Sequence, residues 1–211
     1  MRLPLTLALL CLTTPVAAAV AAPAQAPQPG WPCEGQPPAA LALSRYWPGA
    51  DGAQARGWRS DATVAALVRD IAPRSLSEAD GIARIADLGA RATDRRRTMA
   101  ALVAGLVEEI DRERQAIIAG IRRFNKRQAQ LARRIEQSYD MMDRQGAEAD
   151  GASPTGQQQA GQEALEWDTQ IFEDRQRMLP VICRQPAMLE NRLKSFAEAA
   201  RKVADGAAPA S

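Results

Sequence analysis

The stretch Asp94 to Gln145, DRRRTMAALVAGLVEEIDRERQAIIAGIRRFNKRQAQLARRIEQSYDMMDRQ, contains no proline and predicts one helix of about 75 Å at 1.5 Å per residue. Its period decides what the helix is for. With Ala100, Val107, Arg114, Ile121, Gln128, Ile135 and Met142 as heptad position a, and Val103, Ile110, Ile117, Phe124, Leu131 and Ser138 as d, ten of thirteen seam positions are apolar. A heptad held this long implies a coiled-coil partner, from the same chain or another. Arg114, Gln128 and Ser138 interrupt the seam, and polar seam residues set register at a cost in stability. Leu106, Ile118, Ala132 and Tyr139 widen the apolar stripe toward what a bundle needs.

On the C-terminal side, residues 146 to 161 are rich in Gly, Ala, Ser, Gln and Pro and read as a flexible loop. Helical pattern resumes at Gln162, with Leu165, Ile171, Phe172, Met178 and Leu179 assigned to one side, until Pro180 kinks or ends it. Pro186 suits the first position of a last helix, with Leu189, Leu193, Phe196, Ala200 and Val203 facing inward. The simplest arrangement folds this return segment antiparallel on the long helix. Setting Gln145 opposite Gln162 brings Cys183 near Phe124, and Glu173 and Asp174 near Arg133 and Arg134. Net charge agrees with the pairing, +4 over residues 92 to 145 against −5 over 146 to 179.

On the N-terminal side, Ser60 is placed to cap a helix carrying Val64, Leu67, Val68 and Ile71, stopped by Pro73. Ser75-x-x-Glu78 reads as a capping box for a second helix with Ile82, Ile85, Ala86 and Leu88 on its apolar side. Residues 1 to 26, one arginine followed by a short apolar run and Ala-x-Ala sites, read as a secretory signal peptide removed on export, so the expected location is periplasmic or secreted. Removal leaves about 185 residues, two cysteines and no histidine. In an oxidising compartment Cys33 and Cys183 pair, closing a loop that contributes up to about 5 kcal/mol in the chain-entropy model. Residues 27 to 59 carry many prolines and glycines together with Trp31, Trp47 and Trp58, which predicts an extended arm anchored by its indoles.

The fold class expected is therefore all-α: a long antiparallel, coiled-coil-like helical hairpin with short N-terminal helices and an extended arm tied by the disulfide. The bundle runs over residues 60 to 205, and 206 to 211 form a disordered tail. No second apolar stretch of the chain is long enough to cross a bilayer.

Without histidine the familiar nucleophilic triads and the usual catalytic zinc and haem sites are excluded, and no Gly-rich phosphate loop is present. No cofactor or metal is expected. A near-neutral mature charge argues against nucleic acid as a partner. Glu108, Glu109, Asp111 and Glu113 are the densest carboxylates, but Arg112 and Arg114 interleave them and nothing there separates an acid from a base. Arg122, Arg123, Lys126, Arg127, Arg133 and Arg134 make the strongest cationic cluster. They read either as a partner-binding or anionic-surface contact or as a solvated flank neutralised by the return helix. Arg95, Arg96 and Arg97 oppose the helix dipole at the start of the long helix, marking a contact, a break near Thr93, or nothing. Trp31, Trp47 and Trp58 are either core or the wall of an apolar pocket.

Trp31-Pro32-Cys33, the string Gly120-Ile121-Arg122-Arg123-Phe124 with Gln128, and Cys183 followed by Pro186 and Glu190-Asn191-Arg192-Leu193 resemble an uncharacterised group of exported helical bacterial proteins. The resemblance implies that both cysteines belong to one architecture and carries no activity or binding residue. The expected function is non-catalytic recognition of an envelope protein, as adaptor, chaperone-like protein or scaffold, with homodimerisation a further candidate. An apolar small-molecule or lipid carrier is the alternative, and a carboxylate-only hydrolase the third reading.

Overall fold

The computed structural model describes residues 30–50, 57–148 and 155–206; the expected signal segment, residues 27–29 and 51–56 of the arm, much of the expected loop and all but Gly206 of the tail lie outside them. The elements are α1 (Leu43–Tyr46), a 3-10 turn (Gly57–Ser60), α2 (Ala62–Ile71), α3 (Glu78–Arg91), α4 (Arg95–Glu148) and α5 (Gly156–Ala204). No strand occurs among the described residues.

Local signals fix the helix ends. Asp61, not Ser60, caps α2 by accepting from the Thr63 and Val64 amides. Ser77, not Ser75, caps α3 by accepting from the Asp80 amide, and its hydroxyl donates to the Asp80 carboxylate at 2.6 Å, so the expected Ser75–Glu78 box gives way to a simple cap two residues on. Asp94 starts α4 by accepting from the Arg97 amide. Thr155 and Gln158 form a reciprocal capping box at the head of α5. That box begins α5 six residues before Gln162. Neither Pro180 nor Pro186 ends it, and both sit inside one continuous 49-residue helix. A proline removes one helical hydrogen bond and crowds the preceding turn. Here α5 is packed on α4 and fastened by the disulfide at Cys183, between the two prolines.

Four helices make the base. The Asp70–Arg84 ion pair sets α2 antiparallel to α3, and Gly81 against Phe196 with Gly89 against Val203 sets α3 parallel to α5. Helix α5 in turn lies antiparallel on α4, giving up-down-up-down order. The core holds Val64, Val68 and Ile71 of α2, Ile85 and Leu88 of α3, Met99 to Ile110 of α4 and Leu189 to Val203 of α5. Three glycines permit its density. A Cβ at Gly89 would overlap Val203 Cγ1, one at Gly81 would stand 2.6 Å from the Phe196 ring, and one at Gly105 2.7 Å from Val68 Cγ2.

The arm lies on this base as its tryptophans predict. Trp58 is buried; its Nε1 donates to Glu108 at 3.0 Å, while the Arg59 guanidinium forks onto the same carboxylate and stacks 4.4 Å over the indole. These bonds, Arg59 first, hold the Glu108 carboxyl below the usual range. Cys33 and Cys183 are bonded, with Cα atoms 5.6 Å apart across 150 residues of sequence. Beside the bond Trp31 packs on Ile118 and Ile121, a second small core.

The seam interruption at Arg114 is a buried junction. Arg114 is 2% exposed, donates to the Ala39 carbonyl at 2.7 Å and to Asp111 at 3.1 Å, and faces Glu190 at 3.6 Å. Glu190 also takes Arg45 at 3.0 Å, so one carboxylate joins arm, α4 and α5. Burial, then the Glu190 charge, raise the Tyr46 phenol above its ordinary range. Two residues on, Arg192 donates to the Ile71, Pro73 and Leu76 carbonyls and closes the α2–α3 turn.

Two outcomes test this base. Glu190→Ala leaves Arg114 buried without its bridging carboxylate and lowers stability by about 3 kcal/mol in denaturant unfolding, whereas Arg114→Leu with Glu190→Leu costs far less. Equal losses would mean that pairing is not what matters there. Because Glu108 titrates lower folded than unfolded, its contribution is present above about pH 4.3 and is lost as pH falls through the folded value. Glu108→Gln therefore flattens the acid limb of the stability profile, and an unchanged limb would contradict the Trp58–Arg59 anchor.

Candidate interaction surface

Beyond the base, among the described residues, only α4 and α5 continue, as a two-helix arm. Its seam is narrower than the core. Leu131 and Leu165 are buried, Phe124, Ile135, Phe172 and Leu179 are half-buried, and Gln128 is enclosed with its amide donating to the Phe172 carbonyl at 3.2 Å. The heptad of α4 is thus closed by its own chain.

The register differs from the expected one. Arg134 pairs with Asp168, where Glu173 was expected, a slide of about one and a half turns. The early start of α5 at Gly156 accounts for it, and Cys183 consequently sits by Ile118 and Ile121 with its neighbour Ile182, not by Phe124. Glu173 and Asp174 turn to Arg177 on their own helix.

All six residues of the basic cluster are exposed on α4. Arg134 alone is neutralised by the return helix, through a two-pronged contact with Asp168. Arg122, Arg123, Lys126, Arg127 and Arg133 have no ion-pair partner among the described residues. The arginine triplet at 95–97 belongs to the base instead. Arg95 donates to the Gly89 carbonyl at the end of α3, and Arg96 faces Asp205 at 3.9 Å.

Sequence periodicity assigned Leu165, Ile171, Phe172, Met178 and Leu179 to one side of the return helix, and the structure divides them. Leu165, Phe172 and Leu179 face α4, while Ile171 and Met178 are exposed on the adjoining flank with Trp167, Val181 and Met188. Trp167 is 65% exposed, the reverse of the other three tryptophans. On the opposite flank a groove of about 590 Å³ runs between Tyr139 and Met142 of α4 and Leu165 and Thr169 of α5.

Trp31, Trp47 and Trp58 are all buried, and they are split between the small core at the disulfide and the large core of the base. Glu108, Glu109, Asp111 and Glu113 each face an arginine: Arg59 and Arg112, again Arg112, Arg114, and Arg74. Among the described residues no group of three or more His, Cys, Asp or Glu is placed to hold a metal ion, and no helix is long and apolar enough to cross a membrane.

No protein-family model, no curated protein and no solved structure matches the chain. Its surfaces carry the functional argument alone.

Truncations should separate arm from base. Leu106→Ala, in the four-helix core, lowers global stability by about 3 kcal/mol. Leu131→Ala, in the two-helix seam, costs less globally and instead speeds amide exchange from Phe124 to Glu136. Equal global losses would mean that arm and base melt as one unit.

Proposed function

We propose that this is an exported, non-catalytic helical protein that recognises another protein of the cell envelope with its projecting arm. One observation carries the reading: an apolar flank and a cationic face, each without a partner among the described residues, lie together on a two-helix arm held out from a braced base. Charged residues that stabilise a fold are usually answered by neighbours, as at Arg59, Arg74 and Arg114. Arg122, Arg123, Lys126 and Arg127 are not, and a cationic face left open raises the encounter rate with an acidic partner surface. The disulfide and the absence, in the described helices, of a membrane-crossing segment are compatible with export. The dense carboxylates of α4, each facing an arginine, lend the hydrolase reading no support.

An apolar small molecule or lipid as cargo has one observation in its favour, the groove beside Tyr139 and Met142, which lies away from the three buried tryptophans. Native mass spectrometry of the protein purified from its host separates the readings, since a bound mass displaced by Leu165→Glu would favour cargo.

Charge reversal of Arg122, Arg123, Lys126 and Arg127 to Glu abolishes capture of the native envelope partner and leaves the circular-dichroism spectrum unchanged. Capture that survives the reversal removes the cationic face from the reading.

A further inference from the structure

On α5 the exposed residues Trp167, Ile171, Met178, Val181 and Met188 fall on one line with Asp174 and Gln185, at alternating spacings of four and three. That is a second heptad stripe, spanning three heptads and about 32 Å, on the flank beside the seam that α4 covers. The same flank is already used at the base. Below Gln185, which takes Arg74, it carries Arg192 and Ala199, and there α3 lies along α5 with the α2–α3 turn held by Arg192. Above Gln185 no described residue continues that cover, and the apolar side chains face solvent.

The charge along the stripe selects the occupant. From Glu163 to Asp174 there are five acidic residues and no basic one; from Arg175 to Met188 there are three arginines and no acidic residue. An identical helix laid parallel would set acid on acid, whereas one laid antiparallel sets the outer acidic residues of each on the basic half of the other and leaves Glu173 and Asp174, which already hold Arg177, near the middle. A two-fold axis produces the second arrangement automatically, each contact being made twice.

We propose that the exposed flank of α5 is a homodimer seam, joining two arms antiparallel about a two-fold axis near Phe172–Glu173. In that register Trp167 packs against Met178 of the second copy and Ala164 against its Val181. Glu163 then lies beside Arg184 of the second copy, and neither residue has an ion-pair partner within its own chain among the described residues. Asp168, already holding Arg134, faces the second copy's Arg175. Joined in this way, α4, α5 and their two copies form a four-helix layer in place of two thin hairpins. Arg122, Arg123 and Lys126 remain outside it, so the dimer and envelope recognition through the basic face fail or stand independently.

The test uses the full mature protein with its native disulfide. Glu163→Cys combined with Arg184→Cys should oxidise to a covalent dimer. Within one chain the two positions are about 32 Å apart on a rigid helix, and neither single cysteine should link two copies, because like positions are about 28 Å or more apart across the axis. In sedimentation equilibrium, Glu163→Arg and Arg184→Glu should each weaken the dimer about tenfold, and the two together should restore it. Trp167→Ser should leave monomer of unchanged helicity. A wild-type chain that stays monomeric to about 1 mM overturns the proposal. So does a dimer that yields no cross-link and ignores both the charge swap and Trp167→Ser.

Discussion

The rest of the structure depends on a mismatch of lengths. Helices α4 and α5, with 54 and 49 residues, extend about 81 and 74 Å, whereas α2 and α3, with 10 and 14, extend about 15 and 21 Å. Short helices can complete a four-helix core over only about a quarter of the long pair. That quarter is where the large buried side chains concentrate, from Met99 to Ile110 and from Leu189 to Val203. Outward of it, beyond the Trp31 and disulfide strap, the described chain is a pair of helices in which each side chain has one neighbour helix where the base offers two or three. An arm with apolar and cationic residues in water is therefore a consequence of the proportions of the chain.

Polar seam residues and the disulfide decide where the base ends. Arg114 sits at the upper edge of the large core, and its enclosure by Ala39, Asp111 and Glu190 fixes the register of α4 on α5 while drawing in the N-terminal arm. A leucine there would pack in several registers, but a buried guanidinium tolerates one set of acceptors. One turn further out, Trp31 and the Cys33–Cys183 bond brace α5 between its two prolines, where its backbone is weakest. The N-terminal arm acts as a strap across the root of the projection. Gln128 repeats the register device within the arm by donating to the Phe172 carbonyl.

The all-helical hairpin, the disulfide and the anchoring role of the tryptophans were legible from the heptad, the cysteine count and the aromatic spacing. Register was not, because nothing in a Gly-, Gln- and Ser-rich loop tells how many residues α5 takes up, and Thr155-x-x-Gln158 was hidden in that composition. Continuity through Pro180 and Pro186 was equally hidden, since a proline's local cost is readable and the packing that offsets it is not. The second stripe of α5 was present in the spacing from Trp167 to Met188. It was obscured because seam and stripe residues alternate so closely that Ile171 and Phe172, or Met178 and Leu179, merge into a single apolar side. The glycines at 81, 89 and 105 carry no sequence signal of their own; only Phe196, Val203, Val68 and Trp58 explain them.

On the proposals made above, the protein acts by shape and charge, with a braced root and an arm of two helices offering one face to a like arm and another to an acidic partner. Small-angle X-ray scattering on the oxidised protein tests the arm itself most directly. A compact chain of about 185 residues would have a radius of gyration near 16 Å. The structure predicts a value well above this, with pair distances extending to about 80 Å or more whether the arms are single or joined. A radius near 16 Å, with no distances beyond about 50 Å, would contradict it by showing that the long helices fold back on the base.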